Sequence, residues 1–273
     1  MDFQFKDSYD IDDLLEIMAI LRSEDGCVWD REQDHHSIRN NFIEETYEAV
    51  EAIDREDPVL LKEELGDVLL QVVFHARMEE EGGGFSFSDV CDGICKKLIY
   101  RHPHVFGNVV VKDSGQVLDN WDKLKKKEKH QATASSTLEG VSRALPALIR
   151  AAKVQKRAGK VGFEYPTVEE ALGDLESEIR ELKQAMASGD QENIAEEMGD
   201  VLFSAVNVSR LLGADGEEAL YRSTEKFIRR FSAMEQEAAS REISLSDCTI
   251  DELNSFWRTA KEQEKILEVK QDD

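Results

Sequence analysis

The sequence predicts an all-α protein in which one helical unit is written twice, and three observations carry that prediction. The segment EELGDVLLQVV at Glu63 to Val73 returns as EEMGDVLFSAV at Glu196 to Val206. Apolar residues in the two segments (Leu65, Val68, Leu69, Val72 and Val73; Met198, Val201, Leu202, Ala205 and Val206) recur at three and four residues, which makes one stripe on a helix. The alternation of polar and apolar residues expected of half-buried strands is scarce along the 273 residues.

The elements follow in chain order. Helical periodicity runs over Ile11 to Leu21, Ile38 to Ile53, the first repeated segment, and Phe87 to Ile99. His102-Pro103-His104 then reads as a helix end, because the residue before a proline avoids the helical conformation. The stretch HQATASST at His130 to Thr137 is small, polar and without apolar period, and reads as the junction of two units. Leu138 to Tyr165 leads into the second unit, whose helices are expected at Val168 to Met186, through the second segment, at Ala219 to Met234 and at Asp251 to Leu267. Turns are signalled at Glu81 to Gly84, Ser188 to Asp190 and Gly213 to Gly216. The expected domains are residues 1–135 and 136–273.

Composition excludes several classes of partner. With 58 acidic against 34 basic residues the formal charge is −24, so no general attraction to nucleic acid or to an anionic membrane is expected. The start MDFQFKDSYDIDDLL is charged throughout, unlike a signal peptide, and no apolar run approaches the ~18 residues of a membrane span. The cytoplasm is the expected location. Cys27, Cys91, Cys95 and Cys248 form no C-x-x-C pair and read as small apolar groups rather than as zinc ligands or disulfides.

The repeat carries chemistry. Glu45, Glu48, Glu64 and Asp67 become Glu178, Glu181, Glu197 and Asp200 at one constant offset of 133, and Gly66, Val68 and Leu69 match Gly199, Val201 and Leu202 at the same offset. Acids three apart on a helix share a face, so two antiparallel helices aim four carboxylates at one point. Such a group is costly beside apolar neighbours unless it binds a cation. Oxygen ligands alone select a hard ion such as Mg²⁺ or Mn²⁺, which takes its remaining ligands from water or phosphates, whereas di-iron bundles use Glu-x-x-His. A catalytic site for a phosphorylated substrate also needs cations. Lys226 and Arg230 share a helix face, as do Trp257 and Lys261, and Lys97 with Arg101 and Trp121 with Lys125 repeat both pairs in the first half. Lysine and arginine suit phosphate oxygens, and an indole suits a base. RAGKVG at Arg157 to Gly162 lacks the spacing and the Ser or Thr of a P-loop.

These residues, together with CVWDREQ at Cys27 to Gln33, EETYE at Glu44 to Glu48, RHPHVF at Arg101 to Phe106, GVSRALPAL at Gly140 to Leu148 and KVGF at Lys160 to Phe163, make the chain resemble the two-repeat MazG nucleoside triphosphate pyrophosphohydrolases over nearly its whole length. The resemblance implies a Mg²⁺-dependent homodimer with a fold related to the all-α dUTPases. It implies cleavage of NTPs and dNTPs between the α and β phosphates to the monophosphate and pyrophosphate. Carried over by motif, the metal ligands fall on Glu178, Glu181, Glu197 and Asp200, and the nucleotide contacts on Lys226, Arg230, Trp257 and Lys261. In two-repeat members the C-terminal copy is the one credited with hydrolysis. The N-terminal set (Glu45, Glu48, Glu64, Asp67, Lys97, Arg101, Trp121 and Lys125) is complete as well. Two departures stand out: the doubled E-E-x-x-E reads Ser177-Glu178 in the second copy, and the usual C-P-W-D reads Cys27-Val28-Trp29-Asp30. A non-hydrolysing nucleotide-binding regulator and a plain acidic scaffold are the alternatives that the residues leave open.

Overall fold

The computed structural model describes residues 3–128 and 133–271, and every regular element among them is helical. The chain divides into two units, residues 1–125 and 126–273. The first contains α1 (Ile11–Leu21), α2 (Val28–Glu32), α3 (Arg39–Asp54), α4 (Pro58–Glu81), α5 (Phe87–Arg101) and α6 (Pro103–Phe106), and α7 (Ser114–Glu128) runs across the division. The second contains α8 (Ala134–Glu139), α9 (Ala147–Gly159), α10 (Val168–Ser188), α11 (Gln191–Leu211), α12 (Gly216–Ser240), a 3₁₀ turn at Leu245–Asp247 and α13 (Ile250–Gln271).

Each unit is built on a helical hairpin, α3 with α4 and α10 with α11, and each hairpin turns in the same way. Asp57 caps α4 by accepting from the amides of Val59 and Leu60 at 2.9 and 3.1 Å. Asp190 caps α11 by accepting from Glu192 and Asn193 at 3.1 and 3.4 Å. The residue before each cap is left-handed, Glu56 at φ 52° and Gly189 at φ 74°. Caps and left-handed residues therefore keep the same offset as the carboxylates. Ala52 and Ala185, at 0% and 1% exposure, stand at matching places inside the hairpins, where small side chains let two helix axes approach.

The C-terminal halves of α4 and α11 are covered by α1 and α9. In the first unit Met18, Ile38, Val73, Phe74 and Met78 form the core, with Leu14, Leu15, Leu70 and Phe87 packed around it. In the second, α12 and α13 close a separate core of Met234, Ala238, Phe256 and Ala260.

Two expectations are modified. The apolar stripes of α4 and α11 are not continuous core: Val73 and Val206 are buried, but Leu65, Leu69, Met198 and Leu202 are exposed. Their end of each hairpin lies away from the turns that α1 and α9 cover. The small polar stretch expected as a junction begins a helix, because Thr133 and Ser136 cap each other at the start of α8; residues 130–132 lie outside the described residues.

Candidate metal and nucleotide site

The hairpins bring the predicted acids together twice. Carboxylate oxygens of Glu45, Glu48 and Glu64 lie within 4.8 Å of one another, and so do those of Glu178, Glu197 and Asp200. The remaining member of each quartet acts on the same groups: Asp67 through its charge on Glu45 and Glu64, and Glu181 on Glu178 and Glu197. Ser177, where the family pattern has a second Glu, donates its hydroxyl to Glu181 Oε1 at 3.1 Å and helps to hold that carboxylate.

Partial burial and like charge give these clusters their electrostatic character. Glu45, Glu64, Glu178 and Glu197 are all pushed above the ordinary glutamate range, by desolvation first and then by the neighbouring carboxylates. For Glu45 the next largest causes are Asp67 and Glu48; for Glu178 they are Glu181 and Asp174. The two copies thus match residue for residue in which carboxylates resist ionisation. Converging oxygen donors that repel one another fit a hard divalent cation, because the cation removes the repulsion.

The expected nucleotide contacts assemble on other helices. Arg230 donates Nε to Glu264 Oε2 at 2.5 Å, tying α12 to α13, and Trp257 packs against Phe227 with ring centroids 5.0 Å apart. Lys226 and Lys261 are exposed. None of Lys226, Arg230, Trp257 and Lys261 makes a hydrogen bond or ion pair with the quartet among the described residues. In the first unit Arg101 and Lys125 both lie over the Trp121 ring, at 5.0 and 4.7 Å from its centroid, while Lys97 is exposed. Three of the four N-terminal contacts therefore form one cluster.

The structure adds residues that the motifs did not indicate. Asp174, one turn before Glu178 on α10, accepts from the hydroxyls of Tyr165 (2.7 Å) and Ser204 (2.8 Å). Its i−4 spacing from Glu178 was the available signal. His35 meets His75 (Nδ1 to Nδ1, 2.7 Å) and Glu79 (Nε2 to Oε1, 3.0 Å). Burial, then His35, pushes the His75 pKa down. The cysteines are free, with Cys91 and Cys95 exposed rather than filling a core.

Comparison with known proteins agrees with this geometry. The model of the MazG nucleotide pyrophosphohydrolase domain matches twice, at residues 33–106 and 167–234, one match across each hairpin. A nucleoside triphosphate pyrophosphohydrolase of Escherichia coli (strain K12) is 43% identical over 259 residues, covering 93% of this chain and 98% of that protein. The nucleoside triphosphate pyrophosphohydrolase/pyrophosphatase MazG of Thermotoga maritima is 42% identical over 250 residues, covering 92% and 95%. An uncharacterized protein of Bacillus subtilis, YabN, is 42% identical over 250 residues, which is 91% of this chain and 51% of that protein. Two matched repeats, each enclosing one carboxylate cluster, and near full-length similarity place the chain in the MazG nucleotide pyrophosphohydrolase family.

Proposed function

We propose that the chain is a nucleoside triphosphate pyrophosphohydrolase that cleaves NTPs and dNTPs between the α and β phosphates. The single observation that carries this reading is the pair of converging carboxylate clusters inside the two matched domains. The two expected domains, residues 1–135 and 136–273, are each assigned one cluster, with the C-terminal one catalytic.

In that domain Glu178, Glu181, Glu197 and Asp200 hold Mg²⁺, with Mn²⁺ as a substitute of the same hard character. Held there, such a cation would offset the negative charge of the triphosphate. Lys226, Arg230 and Lys261 hold phosphate oxygens and Trp257 closes over the nucleotide. Water attacks the α-phosphorus and passes its proton to a nearby glutamate; the bond from that phosphorus to the bridging oxygen breaks, and pyrophosphate leaves with the electron pair. Glu45, Glu48, Glu64 and Asp67, with Lys97, Arg101, Trp121 and Lys125, form the equivalent N-terminal site.

The working form is a homodimer in the cytoplasm. Leu65, Leu69, Met198 and Leu202 support the dimer: they lie next to the acids on one face of their helices, and a second copy would cover them.

Purified protein supplied with Mg²⁺ and a dNTP is expected to release monophosphate and pyrophosphate, resolved by chromatography. Diphosphate with orthophosphate would overturn the assignment. Light scattering on the eluting protein tests the dimer.

A further inference from the structure

In the first unit two histidines meet where the loop entering α3 lies against α4. The rings of His35 and His75 are parallel within 5° with centroids 5.0 Å apart, yet their Nδ1 atoms approach to 2.7 Å, closer than two ring faces can come. The rings therefore meet edge to edge, Nδ1 against Nδ1. One proton has to lie between those nitrogens, donated by one ring and accepted by the other. On the far side of His35, Nε2 lies 3.0 Å from Glu79 Oε1, one turn beyond His75 on α4.

This chain of contacts limits the number of protons it can hold. With both rings neutral, His75 donates Nδ1–H to His35, and His35 donates Nε2–H to Glu79. One added proton is accommodated: His35 then donates from both nitrogens, and His75 stays neutral with its proton on Nε2. A second is not, because two N–H groups would face each other across 2.7 Å. Burial and then the charge of His35 push His75 below the ordinary histidine value of 6.5, in keeping with that count. Of the charges around the pair, Glu79 faces it from α4 and Asp34 from the loop, where Asp34 also accepts from the amides of His36 and Ser37 at 2.8 Å. Arg22 at the end of α1 is engaged by Glu81 and by the Gln33 carbonyl, and α3 presents the Phe42 ring, 5.7 Å from His75.

The pair closes the end of the first hairpin that is remote from its turn. Asp57 caps α4 at one end, Phe42 and His35 meet His75 at the other, and Glu45, Glu48, Glu64 and Asp67 lie between them along the two helices. The second copy supplies an internal reference. At the offset of 133 the two histidines become Val168 and Val208, and Val208 is 8% exposed. An apolar side chain that carries no titrating proton thus occupies the same place in the second hairpin.

We propose that His35 and His75 form a proton-operated latch: the shared proton holds the loop at residues 33–38 on α4, and double protonation releases that loop and the start of α3. The latch is closed above the ordinary histidine range and opens as pH falls through the lowered value of His75. It belongs to the first unit alone, and it stands whether or not the hydrolase reading does.

Hydrogen exchange of the full chain, read by mass spectrometry from about pH 7.5 to about pH 5 and corrected for the intrinsic pH dependence of amide exchange, tests the latch. Peptides within residues 33–42 are expected to exchange about fivefold faster, or more, at the acid end, as the loss of a hydrogen bond that holds a loop predicts. Peptides within residues 166–175 should not respond. His75→Phe keeps a ring and removes the proton, and His35→Asn alters a loop side chain at little risk to the fold. Each variant is expected to exchange about fivefold faster than the parent over residues 33–42 at neutral pH, and to lose the acid response. A parent loop with the same corrected exchange across this range overturns the latch, and so does an acid response that survives in whichever of the two variants folds. Equal loosening of residues 166–175 overturns it as well, since the response would then be common to both hairpins.

Discussion

Arg230 and Glu264 form an ion pair across α12 and α13, Nε to Oε2 at 2.5 Å, with side chains only 18% and 19% exposed. Arg229 reaches the other oxygen of Glu264 at 3.4 Å. The glutamate fixes the arginine that the proposed mechanism assigns to phosphate, and Arg230 in turn holds Glu264 below the ordinary glutamate range. Glu264→Gln is expected to lower stability by about 1 kcal/mol in denaturant titrations. The same substitution should raise KM for dNTPs more than it lowers kcat, since it loosens a binding group. The stabilisation from this pair is present above the usual glutamate pKa and fades as pH falls through the lowered one, so the difference between the two proteins should shrink in acid.

The carboxylate cluster predicts the opposite pH sense. Glu178 is pushed upward in the fold, so between its unfolded and folded pKa values the native state binds more protons than the unfolded chain, and stability falls as pH rises through that window. Glu178→Gln mimics the protonated group. In chelator it should melt higher than the parent at neutral pH, with the gain vanishing as pH falls toward the ordinary glutamate pKa. Adding Mg²⁺ should stabilise the parent protein and barely affect the variant. A variant that melts lower in chelator would show that the cluster is not electrostatically strained.

The two clusters are distinguished by turnover. Glu197→Ala is expected to reduce kcat by roughly a hundredfold or more, whereas Glu64→Ala should leave most of the activity. The reverse pattern would assign catalysis to the first unit. Equal losses would mean that both turn over or that each depends on the other.

The hairpin turns give a prediction free of function. Glu56 occupies the left-handed region that Gly189 occupies in the second copy. A side chain there costs about 1 kcal/mol, which glycine avoids. Glu56→Gly should therefore stabilise the first unit by up to about 1 kcal/mol, and Gly189→Ala should destabilise the second by a similar amount. Thermal denaturation of the two variants checks both signs.

Much of this was legible in the residues. The carboxylates could be placed because helix geometry converts a three-residue spacing into a shared face, and the repeat doubled the signal. Helix ends were less legible: α12 continues from Gly216 to Ser240, beyond the expected Ala219 to Met234, because Asp215 caps it earlier and the stretch through Ala238 is still buried against α13. The exposure of Leu65 and Met198 could not be read, since periodicity shows that a face is apolar but not what covers it.

The matched turns also bear on how each copy tolerates insertions and deletions. One residue added inside a hairpin helix, between its cap at Asp57 or Asp190 and its two acids, would rotate those acids by roughly 100° relative to the turn and carry them off the shared face. Beyond the acids no such burden applies: α4 runs three residues longer than α11 and the connection after it is one residue longer, which is why Lys97 and Lys226 no longer keep the register of the acids. Length has thus changed past the acids and been kept between the caps and the acids, and a chain with the right acids at the wrong distance from those caps would no longer bring its carboxylates together.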